Sequence, residues 1–188
     1  VLALAAEKNI FVRVDMESSD YTERTVSMME RVFPDFPLTG TVLQSYLHRA
    51  MDDTERMIRL GARVRVVKGA YLEPPSVAIA AKKEVDANYL TMAKALIERG
   101  NYPAIATHDE AIIAELKQFA EAQDVAKDRF EFQMLYGIRR DLQKRLHDEG
   151  FPVRVYIPYG DQWYPYFTRR LAERPANGLF ILKSLFKK

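Results

Sequence analysis

At 188 residues, nearly half of them apolar, the chain is long enough to bury one sizeable core, which excludes a disordered tail and points to one domain or a large part of one. Lysine and arginine (28) exceed aspartate and glutamate (26) by only two and are interspersed with them, so the basic patch of a nucleic-acid binder is missing and no nucleic-acid partner is expected. Cysteine is absent, which removes disulfides, thiolate metal sites and cysteine nucleophiles and fits a reducing, cytoplasmic setting; no metal site is expected, and no apolar run approaches the roughly 20 residues of a membrane span.

Residues 1–9 read as the last turns of a helix with Asn9 as a left-handed C-terminal cap. No capping residue precedes them, so an N-terminal segment is expected to be missing. A strand is expected at Ile10–Asp15 and another at Thr39–Gln44. Leu47, Ala50, Met51, Thr54, Met57 and Ile58 then recur at helical spacing before Gly61. A strand at Arg63–Lys68 leads to a helix marked by Val85, Tyr89, Met92 and Leu96. A strand at Pro103–Thr107 precedes a helix carrying Ile112, Ile113, Leu116 and Phe119, which starts at Asp109. Strands at Phe130–Met134 and Val153–Ile157 follow, and a last helix spans about 163–174. This strict alternation predicts a parallel sheet of crossover units, doubly wound or closed into a barrel. A (β/α)8 barrel needs eight units, and six is two short.

The strands carry the functional signal. Parallel strands covered by helices are ordinarily apolar on both faces. In Val12-Arg13-Val14-Asp15, Arg63-Val64-Arg65-Val66, Phe130-Glu131-Phe132-Gln133 and Val153-Arg154-Val155-Tyr156 one parity is apolar and the other polar. The period of two turns Arg13, Asp15, Arg63, Arg65, Glu131, Gln133, Arg154 and Tyr156 to the barrel axis, where Gln44 can join them. For the deeper residues (Arg13, Arg63, Glu131 and Arg154) a paired ion network without chemistry competes with a functional role. The layer nearer the strands' C-terminal ends (Asp15, Gln44, Arg65, Gln133 and Tyr156) lies where such barrels place their ligands.

Three further groups join that end. Lys68-Gly69-Ala70-Tyr71 leaves its strand with a glycine that permits close backbone approach to a ligand and an aromatic that could cover it. Thr107-His108-Asp109 opens a helix and suits a phosphate, or else is an ordinary cap by Asp109 with His108 as a solvated neighbour. On the last helix Tyr166, Arg169, Arg170 and Glu173 share one face beside an apolar stripe of Trp163, Phe167 and Leu171. Paired arginines beside an aromatic suit a small carboxylate; a solvated basic face is the other reading.

Together these motifs resemble the proline dehydrogenase family. The match runs through Val12-Arg13-Val14-Asp15-Met16-Glu17, Gln44-Ser45-Tyr46, Val64 to Tyr71, Ala106-Thr107-His108-Asp109, Glu131 to Gly137 and Tyr166 to Glu173. The resemblance implies an α/β fold, a TIM-type (β/α)8 barrel, and makes residues 1–188 a single partial domain lacking the barrel's first two strands. Activity is then expected of the completed barrel. It further implies FAD as cofactor. Gln44 and Arg65 would meet the isoalloxazine, with Asp15 and Gln133 in the same layer. Lys68, Gly69 and Ala70 would follow along the cofactor, and Thr107, His108 and Asp109 would hold its pyrophosphate and adenosine part. Many family members carry asparagine where Asp109 stands. Arg169 and Arg170 are similar to the family's carboxylate clamp. Tyr71, Leu135, Tyr156, Tyr166 and Glu173 would complete the pocket for L-proline, and Arg65, Tyr156, Arg169 and Arg170 would carry the reaction. The implied product is pyrroline-5-carboxylate, with electrons passing to a membrane quinone through peripheral contact at the inner membrane. Another FAD-binding barrel, such as a methylenetetrahydrofolate reductase, is one alternative; an inactive barrel fragment serving as an interaction module is the other.

Overall fold

A computed structural model describes residues 1–160. The last helix expected from the sequence, with Trp163, Tyr166, Phe167, Arg169, Arg170, Leu171 and Glu173, lies outside the described residues. The strands are β1 (Val12–Val14), β2 (Thr39–Gln44), β3 (Arg63–Val67), β4 (Ala104–Ala106), β5 (Glu131–Leu135) and β6 (Val153–Tyr156). The helices are α1 (Leu2–Glu7), α2 (Ser19–Val32), α3 (Ala50–Leu60), α4 (Lys82–Arg99), α5 (Glu110–Ala122) and α6 (Arg140–Asp148). All six strands pair in parallel in the order of the chain, a half-barrel of α/β type. Each connection is a helical crossover, which is how parallel neighbours are joined.

Element ends follow from local chemistry. Asn9 takes positive φ, and the Asn9 and Ile10 N–H groups donate back to the carbonyls of Ala6 and Ala5, closing α1. Ile10 is thereby spent on the helix, so β1 starts at Val12 and not at Ile10. Gly61 closes α3 in the left-handed conformation. Pro103 has no N–H to give, and Thr107 turns its hydroxyl to the backbone N–H of Asp109, so β4 shrinks to Ala104–Ala106. In α2, Thr22, Val26 and Met29 bury one face at i, i+4 and i+7.

The core lies between sheet and helices. Val64, Val66, Ile105, Phe132 and Met134, all on the apolar parity, are sealed under Met29, Met57, Tyr89, Met92, Leu96, Ile112 and Leu116. Register confirms the complementary face: Arg13 lies beside Gly40 and Gly40 beside Arg63, Arg65 beside Ala104, Gln133 beside Arg154 and Leu135 beside Tyr156. The polar parity therefore faces the barrel axis as the sequence predicts. Gly40 is glycine for space: a Cβ there would stand 2.4 Å from the Arg63 carbonyl oxygen and 2.7 Å from the Phe11 ring.

Candidate functional site

A chain of hydrogen bonds runs across the barrel's inner face. Asp15 Oδ1 accepts from Arg65 Nη1 at 2.7 Å, and Arg65 Nε donates to Gln133 Oε1 at 2.6 Å. Gln133 Nε2 donates to Glu131, whose carboxylate takes a bidentate grip from Arg154, with Nε 2.8 Å from Oε1 and Nη2 2.8 Å from Oε2. The Arg65 guanidinium also lies 5.6 Å from the centre of the Tyr156 ring. Four residues of the expected ligand layer (Asp15, Arg65, Gln133 and Tyr156) are thus brought together at the strands' C-terminal ends.

Charge balance explains how this polar face survives burial. Burial opposes ionisation of Glu131, but hydrogen bonds from Arg154 and Gln133 hold its carboxyl below the usual range. The deeper layer is only partly an ion network. Arg13 donates to the Thr41 carbonyl at 2.9 Å and lies 5.0 Å from the Phe11 ring; burial, then the Arg65 charge, lower its pKa to about 10. Arg63 is sandwiched by the Phe11 and Tyr102 rings at 5.3 and 5.1 Å. Among the described residues neither pairs with a carboxylate, so within the deeper layer the paired-network reading holds for Glu131 and Arg154 alone.

Gln44 does not join Arg65. It is buried on the inward parity, and its Nε2 donates to the Glu17 carbonyl at 2.8 Å, tying β2 to the loop after β1. Gly69 has φ +113°, and a Cβ there would sit 2.2 Å from the Tyr46 ring. The Tyr46 ring makes a close approach that by itself requires glycine here. Ala70 and Tyr71 continue the same loop, and the Tyr71 hydroxyl donates to Glu17.

The helix start at Thr107-His108-Asp109 is filled from within. Asp109 Oδ1 accepts from the Ala111 and Ile112 N–H groups at 3.2 and 3.5 Å, so the cap takes first-turn donors that a phosphate would use. Lys68 Nζ stands 2.6 Å from Asp86 and 3.1 Å from Asp109. Burial opposes ionisation of Asp109, yet the Lys68 bond and charge and those two N–H groups keep its pKa lowered. His108 is no solvated neighbour. Burial, then the Arg139 charge, push it down to about 4, and its Nε2 accepts from the Leu135 N–H at 3.0 Å. It enters as a neutral imidazole that fixes the end of β5.

A family model described as proline dehydrogenase matches residues 1–182. The chain belongs to the proline dehydrogenase family. It is 47% identical to a proline dehydrogenase of Deinococcus radiodurans, the match covering 100% of this chain and 61% of that protein. It is 44% identical to proline dehydrogenase 1 of Bacillus subtilis, covering 100% and 62%. The chain thus spans about three-fifths of the length of these relatives. Among solved structures, proline utilization A from Bdellovibrio bacteriovorus inactivated by N-propargylglycine superposes with a TM-score of 0.82 at 32% identity, over 90% of this chain and 20% of that one. Membership of this family sets aside the methylenetetrahydrofolate reductase alternative.

For a flavin, the inner face offers Arg65 as a charged donor at the strand ends, with Nη2 lacking a protein acceptor among the described residues. Tyr156 supplies an aromatic wall beside it, and Leu135 an apolar one, 42% exposed. This side fits a planar ring system with electron-rich edges. The helix start fits a phosphate less well, because Asp109 places a carboxylate there. The sequence reading missed Glu17, although it closes the Val-Arg-Val-Asp-Met-Glu run, because nothing in the period of a strand says where the following loop turns.

Proposed function

We propose that the protein carrying this chain is an FAD-dependent enzyme that oxidises L-proline to pyrroline-5-carboxylate and delivers the electrons to a membrane quinone. The observation that carries the reading is the Asp15–Arg65–Gln133 array with Tyr156, a charged and aromatic layer at the end of the barrel where ligands bind. Bound flavin supplies the two-electron acceptor for the hydride released as the ring C–N bond becomes C=N.

This chain's residues bind, orient and exclude water. Arg65 sets a positive charge, partly balanced by Asp15, where the reduced cofactor becomes electron-rich. Tyr71, Leu135 and Tyr156 wall the pocket against solvent. Arg169, Arg170, Tyr166 and Glu173 are the proposed carboxylate clamp, and Lys68, Gly69, Ala70, Gln44, Thr107, His108 and Asp109 line the strand ends toward the rest of the cofactor. No described helix is long and apolar enough to cross a membrane. Contact with the quinone is proposed as peripheral, at the inner membrane.

The test is anaerobic titration of the full-length protein. It should purify yellow, release FAD on denaturation, and bleach on addition of L-proline. A colourless protein, or a flavin indifferent to proline, would overturn the reading and favour an inactive barrel.

A further inference from the structure

Residues 68–81 join β3 to α4, and their two halves are held differently. The second half is pinned by backbone. Leu47 and Ala78 form an antiparallel bridge, His48 N–H donates to the Val77 carbonyl at 3.1 Å, and Ile79 N–H donates to the Tyr46 carbonyl at 2.7 Å. Among the described residues the stretch from Tyr71 to Glu73 makes no such backbone pairing, and Leu72 at its centre is 90% exposed.

Two side-chain rungs tie it to the loop after β1 and to the first residue of α2. Tyr71 donates to the Glu17 carboxylate, and two residues on the Glu73 carboxylate accepts from Ser19. Both rungs join residues 54 apart, so the two segments run side by side in matched register. The upper rung is bidentate: Oε1 takes the Ser19 N–H at 2.8 Å and Oε2 takes the Ser19 hydroxyl at 2.6 Å. Ser18, the residue at the N-cap of α2, makes no side-chain capping bond. Glu73 therefore caps α2 from outside, with its charge at the positive end of a 14-residue helix.

We propose that Glu73 is a positioning residue, which anchors the β3–α4 loop on the start of α2 and so holds Tyr71 against Glu17 as a wall of the substrate pocket. The inference rests on the proposed proline oxidation for its kinetic consequence and on geometry alone for its structural one. Glu17 feels the same anchor from below, because its carbonyl accepts from Gln44 while its carboxylate accepts from Tyr71. Three loops are thereby locked at one corner of the barrel's C-terminal end.

The experiment uses the full-length holoenzyme with Glu73→Ala, Glu73→Gln, Tyr71→Phe and the double variant Glu73→Ala with Tyr71→Phe. Glu73→Ala should speed amide hydrogen exchange at Ser19, whose N–H donates to Glu73, and through the first turn of α2. It should raise KM for L-proline about three- to tenfold while kcat stays within about twofold, as for a contact on the ground state and transition state alike. Glu73→Gln, which keeps one acceptor oxygen, should fall between wild type and Glu73→Ala. The double variant should raise KM by less than the product of the single effects, because both act through one loop. Unchanged exchange at Ser19 in Glu73→Ala overturns the anchor even in a protein that oxidises no proline, whereas loss of proline oxidation in the wild type counts only against the proposed reaction. Faster exchange with unchanged KM, or KM effects that multiply independently, overturns the link to Tyr71.

Discussion

Arg65 and Gln133 meet over the top of β4, the Arg65 Nε donating to Gln133 Oε1 at 2.6 Å although a whole strand lies between them. They can do so because β4 presents only Ala104 and Ala106 to the barrel axis, in register with Arg65, Glu131 and Gln133. Two alanine methyl groups leave the space that two long polar side chains fill. A larger residue at either position would separate Arg65 from Gln133 and leave a buried amide short of its partner.

If Arg65 stabilises an electron-rich reduced cofactor, Arg65→Met in the full-length protein should lower the flavin's reduction potential. A shift of roughly 30 mV for a two-electron couple corresponds to about 1.4 kcal/mol, within what loss of one charged hydrogen bond removes. Equilibrium titration against a reference dye measures it. An unchanged potential removes Arg65 from the cofactor and leaves it as a partner of Asp15 and Gln133.

Glu131 and Arg154 give a pH-dependent stability. The folded pKa of Glu131 is depressed, so the pair contributes above the unfolded carboxyl value of about 4.3 and the contribution is lost as pH falls through the lower folded value. Arg154→Met strands a buried carboxylate, which should cost about 2 kcal/mol at pH 7, less than a fully buried pair because the Arg154 side chain is 63% exposed. Denaturant melts of both proteins should differ at pH 7 and converge only as pH falls through the depressed folded value of Glu131, below the unfolded value of about 4.3. A gap that persists in acid would show that Arg154 acts through packing alone.

Gly69→Ala meets two obstacles at once, a φ of +113° and the Tyr46 ring 2.2 Å from the new methyl. The expected loss is about 2–4 kcal/mol. Gly61→Ala is the control, since its φ is +76° with nothing within 4 Å, and it should cost only about 1 kcal/mol. Equal losses in thermal or denaturant melts would show that Tyr46 yields without cost.

The sheet was legible because side chains alternate along a strand. Arg13, Arg65, Glu131 and Arg154 could be turned inward from parity alone, and register then sets Gln133 beside Arg154. Loops carry no such period. Gly69 signals a close approach, but that Tyr46 makes it depends on how two loops fold over each other. Asp109 and His108 show the same limit: spacing allows a cap or a phosphate seat, and only the structure shows Asp109 on α5's own N–H groups and His108 on the N–H of Leu135.

The substrate assignment turns on Arg169 and Arg170, which share a helical face with Tyr166 in the sequence and lie outside the described residues. If they hold a carboxylate in a desolvated pocket, removing either leaves the anion short of partners, a loss of roughly 2–5 kcal/mol. The carboxylate keeps its charge while the ring is oxidised, so the contact is about equally strong in the ground and transition states. Binding should therefore suffer more than turnover. In the full-length enzyme Arg169→Met and Arg170→Met should each raise KM for L-proline by about one to three orders of magnitude with kcat much less affected. A tetrahydrofuran carboxylic acid, which keeps the anion but cannot be oxidised in the same way, should lose affinity in step. A solvated helix face predicts changes within about 0.5 kcal/mol. Near-normal KM in both variants would therefore remove the clamp, and leave Tyr71, Leu135 and Tyr156 to define a pocket for a substrate without a carboxylate.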